Sequence, residues 1–394
     1  MKTELSERAL ERRIKRYILK ENHDFFAGCA IGFESVLKQE LSAIPELQFD
    51  SSFDGGIEFS GSIDLMYFAN YSSRIANRIL LRIDQFKTKS YPELFNKCKR
   101  ISWELYLGIS PEVSFEVTAK SSRLHHTGNI ESSIFEAIEN YYSQFGIAVK
   151  KTDSAKSKIY IRLFDDDCTV SIDTSGDHLH KRGYKKFSVD APIRETIVSG
   201  ILLQSRKKES AVIIDPFCGS GTFLFEYLLT LNSIQPGFVR NYAFENFPFF
   251  NLSRWNKIKN IFPKPDHDQS LVKFIGFDID VNAVHAANEN IKSSNIFRTI
   301  KFEHKDFFEL KNIFGSDGLI ISNPPYGKRV GGSFEDMIFF YERMGNHLRK
   351  EFSGWDFLFI LSHPAYITAL KLTVGREMKF NNGGIDVKAI WGRI

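Results

Sequence analysis

Residues 211–231 read "AVIIDPFCGSGTFLFEYLLTL", in which a short β-branched run, a glycine-rich turn and a long apolar segment follow one another directly. The run predicts a buried strand, and the segment after Gly221 predicts a helix. The glycines allow the backbone of the turn to approach a ligand closely, and the first turn of the helix offers free N–H groups. We therefore expect a ligand site where the strand ends.

The turn differs from two familiar phosphate-binding patterns. It lacks the Gly-Lys-Ser/Thr of a P-loop, and the spacing Gly219-Ser220-Gly221-Thr222 is not that of GxGxxG. It also carries an acid, Asp215, which repels a phosphate and attracts an amine. The turn thus predicts a ligand that bears an amine.

The same alternation of strand and helix continues along the chain from about residue 190. Helices are predicted at 191–205 and 280–294, and strands at 273–279, 300–308 and 318–327. Strands that alternate with helices predict right-handed βαβ units and a doubly wound, mostly parallel sheet. A hairpin around the Asn-Gly-Gly at 382–384 predicts an antiparallel edge, so the fold class is α/β.

Acids stand at the ends of the next two predicted strands. Asp278 in "GFDID" can accept hydrogen bonds from both hydroxyls of a ribose, and Asp306 in "HKDFF" can accept one from an adenine amino group. Ile279 and Phe307 beside them can sandwich a purine. A single acid of this kind is usually an ordinary turn residue. Three consecutive units with such ends indicate a ligand with an amine, a ribose and a purine but no phosphate, which is S-adenosylmethionine.

The following strand runs into "ISNPPYGKRV", residues 321–330. The two prolines end the strand in a rigid, extended turn. Asn323 Oδ1 and the Pro324 carbonyl can each accept one hydrogen of an amine and aim its lone pair at a methyl donor, and Tyr326 can stack on a base turned out of its helix. The alternative is a rigid turn without chemistry. The predicted catalytic residues are Asn323, Pro324 and Tyr326, and the predicted cofactor contacts are Asp215, Pro216, Cys218, Gly219, Gly221, Asp278, Ile279, Asp306, Phe307 and Asn323.

In their order and spacing, "DPFCGSGTF", "GFDID", "KDFF" and "NPPYG" resemble the motifs of class I methyltransferases that modify an exocyclic base amine. From about residue 23 to 394 the chain resembles the bacterial 23S rRNA (guanine-N2)-methyltransferase family, in a version with a single methyltransferase domain. The resemblance implies a Rossmann-like domain preceded by an α+β ferredoxin-like/THUMP domain, and transfer to guanine N2 in RNA. The residues alone leave adenine N6 and DNA open as well.

This resemblance predicts the domain organisation. The expected ranges are a basic N-terminal extension at 1–22, a ferredoxin-like segment at 23–70, a THUMP RNA-binding domain at 71–175, a linker at 176–190 and the methyltransferase domain at 191–394. The aromatic-rich stretch 232–255 lies within the last of these, and we expect it to pack locally as a small satellite core.

Composition excludes some classes of protein and permits others. A net charge of +4 over 394 residues is compatible with nucleic acid without requiring it. The four cysteines are scattered and have no paired spacing, which predicts neither a zinc site nor disulfides and fits a reducing cytoplasm. No apolar run reaches the roughly 20 residues of a membrane span. The histidine pairs at 125–126 and at 178 and 180 lack acidic or cysteine partners, so no metal is expected.

Basic residues supply candidate contacts to RNA. Lys181, Arg182 and Lys185 lie in the predicted linker, and Lys328 and Arg329 follow the NPPY motif. Each can equally be a solvated loop charge. Three other functions remain possible at this stage, namely a tRNA guanine-N2 methyltransferase, a DNA adenine-N6 methyltransferase and a non-catalytic RNA-binding assembly factor. The sequence does not predict the oligomeric state.

Overall fold

The computed structural model describes residues 5–189, 192–205, 210–263, 272–292, 295–315, 317–326 and 333–394. The strands in these ranges are β1 (Asn22–Gly28), β2 (Gln48–Phe53), β3 (Gly56–Ser62), β4 (Arg78–Lys87), β5 (Glu112–Lys120), β6 (Lys150–Lys151), β7 (Ser157–Phe164), β8 (Asp167–Asp173), β9 (Val212–Asp215), β10 (Lys273–Asp278), β11 (Ile300–His304), β12 (Leu319–Ser322), β13 (Asp356–Leu361), β14 (Thr373–Asn382) and β15 (Ile385–Arg393). The α-helices are α1 (Glu7–Tyr17), α2 (Glu34–Leu41), α3 (Asp64–Ser72), α4 (Tyr91–Cys98), α5 (Glu104–Leu107), α6 (Thr127–Ser143), α7 (Glu195–Gln204), α8 (Thr222–Leu231), α9 (Leu252–Lys259), α10 (Val281–Ile291), α11 (Phe334–Glu351) and α12 (Pro364–Leu370). Of these described helices, none has the length and apolar character needed to cross a bilayer.

The chain divides into two compact units. The first unit comprises Met1–Gly28, Lys38–Leu179 and Asn241–Ile261. The second comprises Cys29–Leu37, His180–Arg240 and Phe262–Ile394. These units differ from the predicted domain ranges in two places. Residues 29–37, predicted within the ferredoxin-like segment, belong to the second unit, and residues 241–261, predicted within the methyltransferase domain, belong to the first.

The first unit is built on an eight-stranded sheet in the order β2-β3-β1-β4-β8-β7-β5-β6. Most neighbouring strands are antiparallel, and β5 is parallel to both β6 and β7. The core of this sheet contains fully buried side chains such as Phe25, Leu81 and Ile172. Helices mixed with mostly antiparallel strands are the arrangement predicted for the α+β part of the chain.

The aromatic-rich insertion packs against α3 of the first unit. The Tyr67 ring has its centroid 5.0 Å from that of Phe244 and 5.8 Å from that of Trp255, and Tyr71 lies 5.3 Å from Trp255. The rings of the insertion also pack on one another, as expected for a local cluster, with Phe244 5.3 Å from Trp255. What the sequence did not predict is that this cluster is completed by α3, where Tyr67 and Tyr71 are one helical turn apart and present a single aromatic face.

The second unit is built on a seven-stranded sheet in the order β11-β10-β9-β12-β13-β15-β14. The first five strands are parallel, while β15 is antiparallel to both β13 and β14. This confirms the doubly wound, mostly parallel sheet with an antiparallel C-terminal hairpin. The chain reverses its direction of progress across the sheet between β9 and β12, and ligands bind beyond the carboxyl ends of strands at such a reversal.

Residues 29–37 form part of the second unit, at the outer edge of its sheet. The Asn381 N–H donates to the Ile31 carbonyl over 3.1 Å, next to β14. The buried Phe33 ring lies 5.2 Å from the Phe380 ring and so close to Gly200 that a Cβ on that glycine would be 2.5 Å from it. The turn after β1 and the start of α2 thus cover this edge of the second unit.

Candidate functional site

The carboxyl ends of β9, β10 and β12 lie next to one another and carry the site. Asp215 ends β9, Asp278 ends β10, and Ser322 ends β12 immediately before Asn323. Two hydrogen bonds link these ends, from the Gly219 N–H to Asp278 Oδ2 over 2.8 Å and from Ser322 Oγ to Asp215 Oδ1. The sequence-predicted acids and the NPPY segment are therefore brought together by the sheet.

At two positions of the glycine turn after β9, the backbone has a conformation that only glycine adopts without strain. Gly219 has φ 51° and Gly221 has φ 90°, and a Cβ at Gly221 would lie 2.5 Å from the Phe302 ring. The turn is anchored by the Cys218 N–H, which donates to the Phe277 carbonyl over 2.9 Å. At Gly219, by contrast, the one described residue that an added Cβ would meet is Val189, at 3.6 Å, which leaves room for a ligand to approach the backbone.

Two other residues of this turn are buried. Pro216 is buried after the strand end, and burial raises the pKa of the Cys218 thiol well above its usual range. The thiol therefore stays protonated at neutral pH, and Cys218 can contribute packing but no thiolate.

Asp278 is held in a fixed orientation by backbone donors. Its Oδ2 accepts from Gly219 and its Oδ1 accepts from the Asp280 N–H over 3.0 Å. Each carboxylate oxygen has a second lone pair, so the side chain can still accept from a ligand's hydroxyls. Beside it, Ile279 is 67% exposed, an unusual place for a large apolar side chain.

Asp306 caps the short helix after β11, with its Oδ1 accepting from the Phe308 N–H over 2.9 Å. Only 3% of Phe307 is exposed, and its ring packs 5.2 Å from Phe217 and 4.9 Å from His347. Of the two residues expected to sandwich a purine, it is therefore Ile279 that presents apolar surface, while the ring of Phe307 belongs to the core.

The NPPY segment is fixed from both sides. The Tyr341 hydroxyl of α11 donates to the Pro325 carbonyl over 2.9 Å, and the Asn382 side-chain amide lies 3.4 Å from the Tyr326 hydroxyl. Asn323 Oδ1 is buried and has no hydrogen-bond partner in the part of the chain that the structure describes. A buried acceptor left unpaired costs about 1–3 kcal/mol, so such an atom is expected where a ligand supplies the donor.

Asp215 is the most strongly perturbed acid of the site. Burial raises its pKa from the ordinary 3.8 to about 7, against the opposite effects of the hydrogen bonds from Ser322 and the Phe217 N–H, and with a further rise from the nearby Asp278. A carboxyl with a pKa near neutrality takes up and releases a proton in the physiological range. A cationic group bound beside it would favour its charged form.

Two basic residues predicted to contact RNA are instead buried in ion pairs. Arg182 is 1% exposed and its Nε lies 3.4 Å from Glu226 Oε1. Lys185 Nζ lies 3.1 Å from Glu195 Oε1 and donates to Thr222 Oγ1 over 2.7 Å. The expectation that Arg182 and Lys185 bind RNA is wrong, because their charges neutralise buried acids. Lys181 is exposed, whereas Lys328 and Arg329 lie outside the described residues.

The sequence did not single out three residues that hold this region. They are Ser322, Tyr341 and Glu226, whose carboxylate also accepts from the hydroxyls of Tyr184 (2.7 Å) and Ser199. Glu226 did leave a signal, since it is the one acid in the apolar helix "TFLFEYLLTL" and a buried acid needs partners. Ser322 and Tyr341 left none beyond their proximity to the motif.

Within the described ranges, no three or more His, Cys, Asp or Glu side chains are grouped as a metal site would require. Cys29, Cys98, Cys168 and Cys218 are all free thiols.

Comparison with known proteins identifies relatives along most of the chain. The "Ribosomal RNA large subunit methyltransferase K/L" of Cellvibrio japonicus is 30% identical over 383 residues, which cover 92% of this chain and 50% of that protein. The protein of the same name from Psychromonas ingrahamii is 28% identical, with 92% and 49% covered. The chain thus spans about half the length of these curated relatives. The crystal structure of SMU.472, complexed with SAH, has a TM-score of 0.83 and 26% identity, covering 95% of this chain and all of that one.

Two sequence families account for the two parts of the fold. Residues 24–80 match the family described as "RlmL ferredoxin-like domain", and residues 182–390, just over half of the chain, match the family described as "RMKL-like, methyltransferase domain". Together with the solved relatives, these matches confirm the predicted class I methyltransferase domain behind a ferredoxin-like domain. The chain belongs to the RMKL-like methyltransferase domain family.

Proposed function

We propose that this chain is an S-adenosylmethionine-dependent methyltransferase that acts on an exocyclic base amine of RNA, namely guanine N2 of 23S rRNA. The observation that carries the proposal is Asn323 Oδ1, which is buried and has no hydrogen-bond partner among the described residues, on a rigid segment beside Asp215 and Asp278. An acceptor in this position is suited to a donor that arrives with a substrate, as the two hydrogens of a base amine do.

The residues of the site fit the proposed cofactor. Among the described residues, Asp215 Oδ2 makes no hydrogen bond, so it can receive an ammonium group. Asp278 retains lone pairs for ribose hydroxyls, and Ile279 offers apolar surface for a purine face. Asp306 remains the candidate acceptor for the adenine amino group. Bound S-adenosylmethionine supplies an electrophilic methyl group on a sulfonium.

The protein's part in the reaction is to orient a weak nucleophile. The lone pair of an exocyclic amine is delocalised into its ring. Asn323 Oδ1 and the Pro324 carbonyl each accept one N–H of the amine, which draws the nitrogen toward tetrahedral geometry and turns its lone pair toward the methyl group. The nitrogen forms the new C–N bond and releases one proton. Tyr326, whose hydroxyl is near Asn382, stacks on the base.

RNA is the proposed polymer because the matched relatives are named for ribosomal RNA of the large subunit. The proposed THUMP domain at 71–175 would bind RNA away from the reacting base, and Lys181, Lys328 and Arg329 remain candidate contacts. A cavity of about 440 Å³, bordered by β14 and β15, could receive a neighbouring nucleotide. Its lining includes the apolar Ile31, Pro364 and Phe380, the basic Lys379 and Lys388, and one acid, Asp386.

The cofactor assignment predicts that Asp278→Ala weakens S-adenosylmethionine binding by about 100-fold or more. The change removes hydrogen bonds to a charged acceptor, each worth about 1.5–3 kcal/mol. Isothermal titration calorimetry measures the dissociation constants, with Glu303→Ala, an exposed acid on the neighbouring β11, as the matched control. Unchanged binding in Asp278→Ala would remove the residue from the cofactor site.

The substrate is tested with labelled S-adenosylmethionine and separate pools of unmodified 23S rRNA, tRNA and DNA. We expect label in 23S rRNA, recovered as N2-methylguanine after digestion. Label confined to tRNA would favour a tRNA guanine-N2 methyltransferase. Label in DNA, or as N6-methyladenine, would overturn the proposal. Intact cofactor and RNA binding without any label would favour an RNA-binding assembly factor.

A further inference from the structure

Ser322 joins the two halves of the proposed site. It is the last residue of β12, is 0% exposed and stands directly before Asn323. Its hydroxyl donates to Oδ1 of Asp215, which is 1% exposed and lies 107 residues earlier in the chain. One side chain therefore connects the segment that would hold the base with the acid that would hold the cofactor's amine.

This hydrogen bond lies where backbone pairing between the two strands has ended. The ladder between β9 and β12 pairs Leu319 with Ile213 and Ile320 with Ile214 and goes no further. On its other side, Ser322 remains paired with Phe359 of β13. The backbone of Ser322 is thus fixed by β13, and its hydroxyl reaches across to the diverging end of β9.

The same contact orients the Asp215 carboxyl group. Oδ1 accepts from both Ser322 Oγ and the Phe217 N–H, the latter over 3.2 Å. These two donors fix the plane of the carboxyl group and leave Oδ2 without a partner among the described residues. A carboxylate with one oxygen held by the protein and one oxygen free is pre-organised for a cation.

We propose that Ser322 is a positioning residue, which orients the Asp215 carboxylate toward the amine of the cofactor and fixes the start of the Asn323–Tyr326 segment relative to it. This inference rests on the proposed function and adds a coupling between cofactor and base. Cofactor binding and base positioning then share one hydrogen bond, so a change at Ser322 affects both.

The coupling has a pH signature that a purely structural serine lacks. The Asp215 pKa is raised to about 7, mainly by burial and in addition by Asp278, while Ser322 lowers it. Between the unfolded pKa near 3.8 and the folded pKa, the folded protein holds a proton that the unfolded chain has lost. This group therefore makes the apo protein less stable as pH rises through that window. In Ser322→Ala the pKa of Asp215 rises further, so the loss of stability extends to higher pH.

The first measurement is the free energy of unfolding of the apo protein against pH, for wild type and Ser322→Ala. We expect the free energy of unfolding of Ser322→Ala to be lower than that of wild type by a small, constant amount at low pH. This difference should grow as pH rises through 7 and level off about one pH unit higher. In an Asp215→Asn background, Ser322→Ala should give a deficit that does not change with pH. A pH-independent deficit in the wild-type background, or an unchanged pH dependence in the Asp215→Asn background, would overturn the inference.

The second measurement is S-adenosylmethionine affinity by calorimetry over the same pH range. Affinity for S-adenosylmethionine should fall as the pH is lowered and Asp215 becomes protonated. In Ser322→Ala this fall, the acid limb of the affinity profile, should occur about one pH unit higher. If wild type binds S-adenosylmethionine but the variant's acid limb is not shifted, the inference fails and the proposed function stands. If wild type does not bind the cofactor at all, both fail.

Discussion

Asn323→Ala should lower the rate of methyl transfer by about 1,000-fold, because removing one pre-organised group that acts on the transition state typically costs two to three orders of magnitude. Affinity for S-adenosylmethionine should change by no more than about twofold, since Asp215 and Asp278 are untouched. Loss of Oδ1 itself should not destabilise the fold, because that atom is buried without a partner in the described part of the chain.

Single-turnover kinetics with saturating cofactor and RNA would measure this loss directly. Asn323→Asp is the matched variant, because it keeps an acceptor oxygen at the same place and should retain more activity than Asn323→Ala. Equal rates for wild type and Asn323→Ala would exclude Asn323 from the mechanism. A loss of cofactor affinity as large as the loss of rate would instead assign Asn323 to cofactor binding.

Glu226→Ala should lower the free energy of unfolding by about 3–5 kcal/mol, the usual result of leaving one partner of a buried ion pair without the other. Arg182 is 1% exposed and would remain charged after losing Glu226, its ion-pair partner. The hydroxyls of Tyr184 and Ser199 would lose their acceptor as well. A double variant that replaces both residues of the pair, Arg182→Met with Glu226→Leu, should recover much of the stability because both buried charges are removed together.

Urea denaturation measures these differences, and Glu303→Ala, an exposed acid on β11, is the control that should leave stability nearly unchanged. A Glu226→Ala variant as stable as this control would contradict the burial of the pair. The Arg182→Met/Glu226→Leu variant also tests whether Arg182 contacts RNA. Its affinity for RNA should equal that of wild type, whereas an RNA-binding Arg182 would make it weaker.

The relative placement of several candidate site residues could be predicted from their positions at the ends of strands. Asp215, Asp278 and Asn323 follow predicted parallel strands, and the carboxyl ends of such strands meet at one edge of a sheet, so their proximity could be inferred before any coordinates. The sheet itself followed from the alternation of strand and helix. The resemblance of the motifs to a methyltransferase family agreed with both.

The predictions that the structure does not support concern residues whose partners are distant in sequence. The basic stretch "HKRGYKK" looks solvated, since nothing near Arg182 or Lys185 shows that Glu226 and Glu195 face them from other elements. Likewise, the aromatic insertion could not be assigned to α3, because a sequence shows that rings will be buried but not on which surface. Phe307 presents the same problem, because its neighbour Phe308 is equally apolar and only packing decides which ring faces the core.

Residues 29–37, which cover the edge of the second unit, determine how late in folding that unit can be completed. Ile31 is synthesised long before its hydrogen-bond partner Asn381. Closing a loop between residues so far apart in sequence carries a large entropic cost and slows folding. The edge of the second unit should therefore form late, after synthesis of the C-terminal hairpin. A polypeptide cut to the family boundary at residue 182 would leave the Phe380 face uncovered, so the catalytic unit is best produced as part of the continuous chain.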